Sequence, residues 1–395
     1  MPGSHRPGLR QGLWPFGFLS AAYFTHIGFF NPYLSLWLQH LGLGVFAIGA
    51  LTALQSATRL VSPFLWAWLS DHTGQRVRLM RLGAMAAWVA SGGLYLSPSL
   101  WGLSLVMVLL FIHTSPLMSL SEAAMAQRVS VDGQWDTRRY GRVRLWGSVG
   151  FLLTVFVAGA WFERRGMADF PHWTVATLAA VNLAVWWMPH HSDEPAAKNS
   201  AGRLGPVMLQ VPVRWFFAAL FFHILAHTSI YVFLSLYLDG LGYSKTMIGL
   251  LWALSVVVEV IWFYFQGRWM HRLAAGSWLM LGSAVTVVRM ALTAEAADVV
   301  WIMALAQMMH AFTFAAHHSA CVQWISESFA GSLRARGQAL YSVLGYGLTG
   351  VIGALGGGAI SQAWGMQAVF QCAAVSALAG LWCAWRFGLS QSSTD

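Results

Sequence analysis

Apolar stretches of about twenty residues recur from one end of this chain to the other, separated by short polar segments. Each is long enough to cross the hydrocarbon core of a bilayer as a helix, which takes about 20 residues. Of the 395 residues, 57% are hydrophobic and 9% are charged, whereas soluble domains carry about 25% charged residues. The sequence therefore predicts an all-α membrane protein of twelve transmembrane helices, at residues 13–38, 44–69, 79–97, 100–121, 142–162, 172–189, 213–238, 246–266, 277–295, 297–325, 335–360 and 365–387.

The basic residues are distributed unevenly about these helices. Of the 23 Lys and Arg residues, 18 fall in the termini and loops on the side of the N-terminus, three fall in the opposite loops, and Arg59 and Arg289 lie inside helices. Cytoplasmic loops of membrane proteins carry the excess of basic residues. We therefore expect both termini to be cytoplasmic, in a multi-pass protein of the bacterial inner membrane. The net charge of +9 is then a signal of topology, and nucleic acid is not an expected partner.

A weak internal repeat divides the helices into two sets of six. Residues 190–212 form a polar stretch that reads as a cytoplasmic linker between a first bundle, residues 1–189, and a second, residues 213–395. At an offset of 200 residues, 31–61 and 231–261 are identical at 11 of 31 positions, including aligned Leu-Gly and Ile-Gly pairs. Parallel repeats of six helices are the architecture of the major facilitator superfamily, whose substrate site lies midway through the membrane between the halves.

The segment Ala67–Arg76, with the sequence AWLSDHTGQR, resembles the loop motif of that superfamily between helices 2 and 3. Gly74 permits a tight chain reversal, and Asp71 can pair with an arginine or cap a helix N-terminus when the cytoplasmic side is closed. We therefore predict that Asp71, Gly74 and Arg76 act in gating. An ordinary polar turn is the alternative interpretation.

Ionisable residues inside a bilayer are costly unless paired or hydrated, so each is a functional candidate. Four such residues lie within or at the edge of predicted helices: Arg59, Glu122, Glu259 and Arg289. Counting about 1.5 Å per residue places Glu259 and His310 each roughly 19 Å from the outer ends of their helices. The prediction is a Glu259–Arg289–His310 cluster in which Glu259 takes a proton when alone and releases it when Arg289 pairs with it. A static ion pair that holds two helices together is the alternative.

One segment carries a closer family resemblance. Residues Tyr140–Phe151, with the sequence YGRVRLWGSVGF, resemble the start of helix 5 in the phenylpropionate permease family, a branch related to lactose permease and the nucleoside–proton symporters. The similarity extends to the segments around Glu259 and Arg289 and to Gln307–His318. It implies proton-coupled uptake of a small organic solute.

The resemblance also implies roles for individual residues. Glu122 and Arg144 match the glutamate and arginine that bind substrate in lactose permease, and Trp146 of the same segment can stack on an aromatic ring. Glu259, Arg289 and His310 match the coupling residues there in type and order. Thr313 stands where the permease has its proton-accepting glutamate, so a proton must reside elsewhere, on Glu259, Glu122 or a histidine. The alternative for Glu122 and Arg144 is that they are interfacial loop charges.

The function predicted from these features is proton-coupled import of a small organic solute, with an aromatic carboxylate such as a phenylpropionate as substrate. An importer of sugars, nucleosides or siderophores, and a proton antiporter that exports drugs, remain alternatives. From another class, a membrane enzyme or a receptor without flux is disfavoured, because no nucleophile–base spacing, phosphate-cradling loop or metal-ligand set is present in the sequence. We expect a monomer with no metal and no cofactor.

Overall fold

A computed structural model describes residues 12–96, 99–129, 137–189, 204–329 and 333–392. Within these ranges the regular structure is helical, with no strand. The α-helices are α1 (Trp14–His40), α2 (Val45–Thr73), α3 (Arg76–Ser91), α4 (Leu100–Thr114), α5 (Leu117–Val129), α6 (Thr137–Arg165), α7 (Phe170–Trp186), α8 (Leu204–Met208), α9 (Val211–Gly240), α10 (Lys245–Phe265), α11 (Ala275–Glu295), α12 (Val300–Met308), α13 (His317–Ser328), α14 (Arg334–Leu340), α15 (Thr349–Trp364) and α16 (Met366–Ser392).

Several helix ends follow directly from local sequence. Ser99 and Ser244 cap α4 and α10, each accepting a hydrogen bond from a backbone N–H of the first turn at 3.1 Å. The sequence predicted one helix here, whereas α4 and α5 are separated at Ser115 and Pro116, where the proline has no backbone N–H to continue the hydrogen bonds of the helix. Gly365, with φ of 86°, separates α15 from α16.

Eight helical stretches among the described residues are long and apolar enough to cross a membrane. They are Val45–Ser70, Leu100–Glu122, Val143–Arg165, Val211–Gly240, Lys245–Arg268, Ala275–Glu295, Arg336–Trp364 and Met366–Gln391. The all-helical, multi-pass membrane class predicted from the sequence is therefore confirmed. The predicted linker falls largely outside the described residues, since 190–203 are not described, and its remainder contains the short helix α8.

The chain divides into two compact units whose boundaries differ from the sequence halves. The first unit comprises the described residues of Met1–Phe30, Val61–Thr154 and Asp169–Ala196, and the second those of Asn31–Leu60, Val155–Ala168 and Ala197–Asp395. The second unit thus contains the C-terminal part of α1, the first half of α2 and the C-terminal end of α6. Its aromatic core includes Phe216 stacked on Trp324, with ring centroids 4.1 Å apart.

The internal repeat has a structural counterpart in the second unit. Gly42 and Gly242, which are equivalent at the offset of 200 residues, have φ of 82° and 88°. Each donates its backbone N–H to the carbonyl three residues earlier, at 2.8 and 2.9 Å. Both glycines therefore end a helix in the left-handed conformation that glycine adopts most readily.

A second pair of equivalent glycines allows helices to approach closely. A Cβ built on Gly249 would lie 2.5 Å from the hydroxyl of Tyr33 and 2.7 Å from the carbonyl oxygen of Val155. A Cβ built on Gly49 would overlap the carbonyl oxygen of Ala354. In the second unit, glycine is therefore required where α10 meets α6 and where α2 meets α15.

Among the described residues, two segments of π-helix interrupt the later helices. Ala311–Ala316 lies between α12 and α13, and Tyr341–Leu348 lies between α14 and α15. The sequence predicted uninterrupted helices over 297–325 and 335–360. Segments of π-helix are frequent at functional sites, because their wider turns change which side chains share a face.

Candidate functional site

Arg289 is the largest fully buried side chain among the described residues, at 1% exposure, and lies in the middle of α11. Its Nη1 donates to Oγ1 of Thr313 at 2.8 Å and lies 3.1 Å from Nδ1 of His310. Its Nη2 donates to Oε1 of Gln307 at 3.0 Å. A buried charge is tolerated when most of its hydrogen bonds are made, and these three acceptors serve both Nη atoms, whereas the buried Nε has no acceptor among the described residues.

His310 lies between Arg289 and Glu259. Its Nε2 is 3.5 Å from Oε2 of Glu259 on α10. Because a guanidinium can only donate, Nδ1 of His310 must accept from Arg289, which leaves the ring proton on Nε2 facing the carboxylate. The sequence predicted a direct pair between Glu259 and Arg289. The structure brings all three residues together but places the imidazole between the two charges.

The neighbouring histidines of the second unit have structural partners of their own. His223 donates its Nε2 proton to the carbonyl oxygen of Thr313 at 2.7 Å, and its ring stacks on His317 with centroids 3.5 Å apart. His317 follows His310 by seven residues, a spacing that places two residues on one face of an uninterrupted α-helix. The intervening π-helix, Ala311–Ala316, changes that register. His310 therefore faces Arg289 and Glu259, while His317 packs against His223 and Gly282.

Glu122 and Arg144 are brought together in the first unit. Both line one small crevice, together with Phe16 and Ser20. The sequence placed them near helix ends, whereas α5 continues seven residues beyond Glu122 and α6 begins seven residues before Arg144. The guanidinium of Arg144 lies over the ring of Phe24, 4.2 Å from its centroid.

Trp146 lies two residues further along α6 and is 58% exposed. Its Cδ1 is 3.1 Å from the position that a Cβ on Gly17 would occupy, so the indole packs against the glycine surface of α1. The structure thus places an exposed arginine and an exposed indole within one turn of α6 in the first unit.

The predicted gating residues lie at the junction of α2 and α3. Gly74 has φ of 62°, as expected for the residue that reverses the chain. Asp71 lies in the last turn of α2 and Arg76 is the first residue of α3, so both helices extend further into the predicted loop than the sequence indicated. The side chain of Asp71 lies outside the described atoms, and its role in gating stays a prediction.

Two residues that bind Arg289 were not predicted from the sequence to contact it. Gln307 and Thr313 lie three residues before and three residues after His310. That spacing places polar side chains on neighbouring positions of one helix face, an arrangement that is unusual in an apolar helix. Among the described residues, no group of three or more His, Cys, Asp or Glu side chains is arranged to hold a metal ion.

Comparison with known proteins identifies the family. The MFS_1 like family matches residues 16–372. The chain belongs to this family. It is 27% identical over 343 residues to a probable 3-phenylpropionic acid transporter of Escherichia coli (strain K12), covering 83% of this chain and 86% of that protein. It is also 26% identical over 365 residues to a maltose permease of Geobacillus stearothermophilus, covering 91% and 90%.

The fold of this MFS_1 like protein is shared with solved transporters. A crystal structure of a mutant of the nucleoside transporter NupG matches with a TM-score of 0.82 at 15% identity, covering 95% of this chain and 99% of that one. The predicted resemblance to the major facilitator superfamily is therefore confirmed. The chain is a membrane transporter of this superfamily, and it is not an enzyme.

Proposed function

We propose that this protein is a proton-coupled symporter that imports a small aromatic carboxylate across the bacterial inner membrane by alternating access. In this proposal twelve helices span the membrane, both termini are cytoplasmic, and one chain suffices for transport. Asp71, Gly74 and Arg76 contribute to closure of the cytoplasmic side. Protons and the organic solute are the only ligands required.

The observation that carries the proposal is the chain of contacts from Arg289 through His310 to Glu259. Arg289 is buried and hydrogen-bonded to neutral groups, and Glu259, which His310 contacts, supplies the carboxylate of this cluster. When Glu259 binds a proton, the cluster changes from net neutral to a net charge of +1. A net charge in a membrane interior is unfavourable.

A substrate carboxylate restores neutrality. One proton on Glu259 together with one bound monoanion leaves the loaded transporter with the same net charge as the empty one. Reorientation of the transporter with only the proton or only the anion bound is then unfavourable. Transport of the proton and of the anion is therefore coupled. We therefore expect one proton for each monoanion and electroneutral transport.

The choice of an aromatic acid is supported by two features of the first unit. Arg144 offers a guanidinium fork, which matches a carboxylate with two parallel hydrogen bonds. Phe24 lies beneath that guanidinium, and Trp146, two residues further along α6, is an exposed indole that can stack on an aromatic ring. The similarity to a probable 3-phenylpropionic acid transporter agrees with this choice.

The test is uptake by purified protein in proteoliposomes with an imposed pH gradient. Labelled 3-phenylpropionate should accumulate when the exterior is acidic, and accumulation should stop when a protonophore removes the gradient. A membrane potential imposed with valinomycin, without a pH gradient, should not drive uptake. Accumulation driven by the potential alone would contradict electroneutral symport, and loss of preloaded substrate into an acidic exterior would indicate antiport.

A sugar is the second candidate substrate. Glu122 and Arg144 line the same crevice, and a carboxylate beside a guanidinium can accept from and donate to neighbouring sugar hydroxyls. The similarity to a maltose permease covers most of both chains. Unlabelled maltose in excess should leave 3-phenylpropionate uptake unchanged if the substrate is an acid. Competition by maltose, with proton-driven maltose uptake, would favour the sugar.

A further inference from the structure

A cavity of about 420 Å³ lies in the second unit, apart from the cluster around Arg289. Its wall is formed by α10, the loop that follows it, the start of α11 and the region where α12 passes into the π-helix. The lining is almost entirely apolar and includes three indoles, those of Trp262, Trp269 and Trp278. Its volume lies within the range of about 300–1,000 Å³ that is typical of ligand sites.

The cavity lies on the face of these helices opposite Glu259 and His310. Residues two apart on a helix project about 200° from each other. Ile261 follows Glu259 by two residues, and Met308 and Phe312 lie two residues before and after His310; all three line the cavity. Ile261 is 51% and Met308 is 50% exposed. Because α10 belongs to a candidate membrane span, we expect the apolar side chains exposed on this face to contact lipid.

The indoles form a cage with unsatisfied donors. The ring of Trp262 lies 5.3 Å from those of Trp269 and Phe312 and 5.5 Å from that of Trp278, between centroids. Trp278 donates its Nε1 proton to the carbonyl oxygen of Met270 at 3.0 Å. Within the described part of the chain, the buried Nε1 atoms of Trp262 and Trp269 have no acceptor. Trp262 is 6% exposed, and a buried N–H without a partner is unfavourable.

Basic residues lie between Trp262 and Trp278 in the sequence. Arg268, His271 and Arg272 are exposed in the short segment between α10 and α11, which also contains Trp269. Arg268 ends the candidate span Lys245–Arg268. Basic residues directly after a membrane span attract anionic lipid headgroups, and tryptophan is enriched at the same depth of the bilayer.

We propose that this cavity binds one anionic glycerophospholipid from the adjacent leaflet. An acyl chain fills the apolar part of the cavity, and ester carbonyl oxygens accept from Nε1 of Trp262 and Trp269. The phosphate of the headgroup binds Arg268 and Arg272. The bound lipid connects α10, α11 and the π-helix on the face opposite Glu259 and His310. The site is separate from the proposed transport path and does not depend on the identity of the transported solute.

The experiment counts lipids retained by the full chain in native mass spectrometry, after incubation with equal amounts of phosphatidylglycerol and phosphatidylcholine of identical acyl chains. The wild-type protein should retain one phosphatidylglycerol more than Trp262→Phe/Trp269→Phe, which keeps an aromatic ring at each position and removes the donors. Trp301→Phe is the control, since Trp301 is 81% exposed on α12 and does not line the cavity. We expect affinity to fall about tenfold in the double variant, as for loss of two hydrogen bonds.

A second measurement tests the headgroup with a variant whose changed side chains are exposed. Titration with phosphatidylglycerol should raise the melting temperature of the wild-type protein. For Arg268→Gln/Arg272→Gln, phosphatidylglycerol should raise the melting temperature no more than phosphatidylcholine does. Equal retention by the wild-type protein and the tryptophan variant would overturn the proposal. So would equal stabilisation by the two lipids, or displacement of the lipid by 3-phenylpropionate, which would make the cavity a solute site.

Discussion

Nε2 of His310 lies 3.5 Å from Oε2 of Glu259, while the other nitrogen of the same ring accepts from Arg289. This arrangement fixes the tautomer of His310, because only Nε2 can then carry the proton in the neutral ring. The imidazole therefore separates the two charges that the sequence predicted to pair directly. A proton that reaches Glu259 changes the hydrogen bonding of His310 first and that of Arg289 through it.

Replacement of His310 separates a proton-carrying role from a positioning role. Gln at this position can accept from Arg289 through its oxygen and donate to Glu259 through its nitrogen, but it cannot bind and release a proton. We expect His310→Gln to keep substrate exchange and to reduce accumulation driven by a pH gradient. His310→Leu, which leaves both partners without their contact, should also unfold more easily, by about 1–3 kcal/mol.

The control for this pair is His172→Gln, since His172 is exposed and lies beside Asp169. It should match the wild-type protein in both assays. Accumulation by His310→Gln at the wild-type level would show that His310 only positions Glu259. The measurements are thermal unfolding of purified protein and uptake by proteoliposomes.

The fold class was predictable because lipid imposes a simple rule on composition. Transmembrane helices must be apolar and about twenty residues long, so apolar stretches of that length in the sequence identify them. The equivalence of Gly42 and Gly242 was also visible, since a helix end in the left-handed conformation requires the same residue in both repeats. The π-helix at Ala311–Ala316 was not predictable, because its wider turns depend on packing against other helices and not on local residue preference.

The charged residues and the histidine of the candidate site were predicted from the sequence, but the contacts between them were not. Glu259, Arg289 and His310 are recognisable because ionisable groups are rare in membrane helices. Gln307 and Thr313 are neutral and occur in many helices, so nothing in their chemistry singled them out as partners of Arg289. Which of these groups contact each other depends on helix rotation, and a single register change at the π-helix is enough to separate His317 from His310.

Gly249 should be intolerant of even one added methyl group. A Cβ there would lie 2.5 Å from the hydroxyl of Tyr33 and 2.7 Å from the carbonyl oxygen of Val155, closer than packed atoms approach. We expect Gly249→Ala to lower the free energy of unfolding by about 1–3 kcal/mol. Gly356→Ala is the matched control, because nothing lies within 4 Å of its added Cβ and alanine has the higher helix propensity. Thermal unfolding distinguishes them, and equal melting temperatures would contradict close packing at Gly249.

Arg144 should discriminate an acid from its amide. A guanidinium can bind a carboxylate with two parallel hydrogen bonds, whereas a lysine ammonium cannot reproduce that fork. We expect the wild-type protein to bind 3-phenylpropionate better than 3-phenylpropionamide, and Arg144→Lys to bind the acid about tenfold more weakly. Arg386→Lys is the control, since Arg386 also lies over an aromatic ring, that of Trp215, but in the second unit. Calorimetry measures both ligands, and equal binding of acid and amide would exclude this role.

Glu259 should be required for accumulation and dispensable for exchange. Glu259→Gln resembles the protonated carboxyl permanently, so the loaded transporter can still reorient but no proton is taken up or released. Counterflow, which needs only reorientation of the loaded form, should continue near the wild-type rate. An imposed gradient of about one pH unit supports about tenfold accumulation at one proton per substrate, because 1.4 kcal/mol corresponds to a factor of ten. That accumulation should be absent from the variant.

The matched control is Glu295→Gln, which neutralises an exposed carboxylate at the end of α11 that accepts from Gln367 and Gln371. It should accumulate substrate as the wild-type protein does, since Glu295 contacts neither His310 nor Arg289. Each variant is measured in proteoliposomes by uptake under a pH gradient and by counterflow without one. If Glu259→Gln still accumulates substrate, the proton is carried by another group, and Glu122 is the next to neutralise. If counterflow is lost as well, Glu259 binds substrate or maintains the packing of α10 against His310, and the proposed coupling through it is wrong.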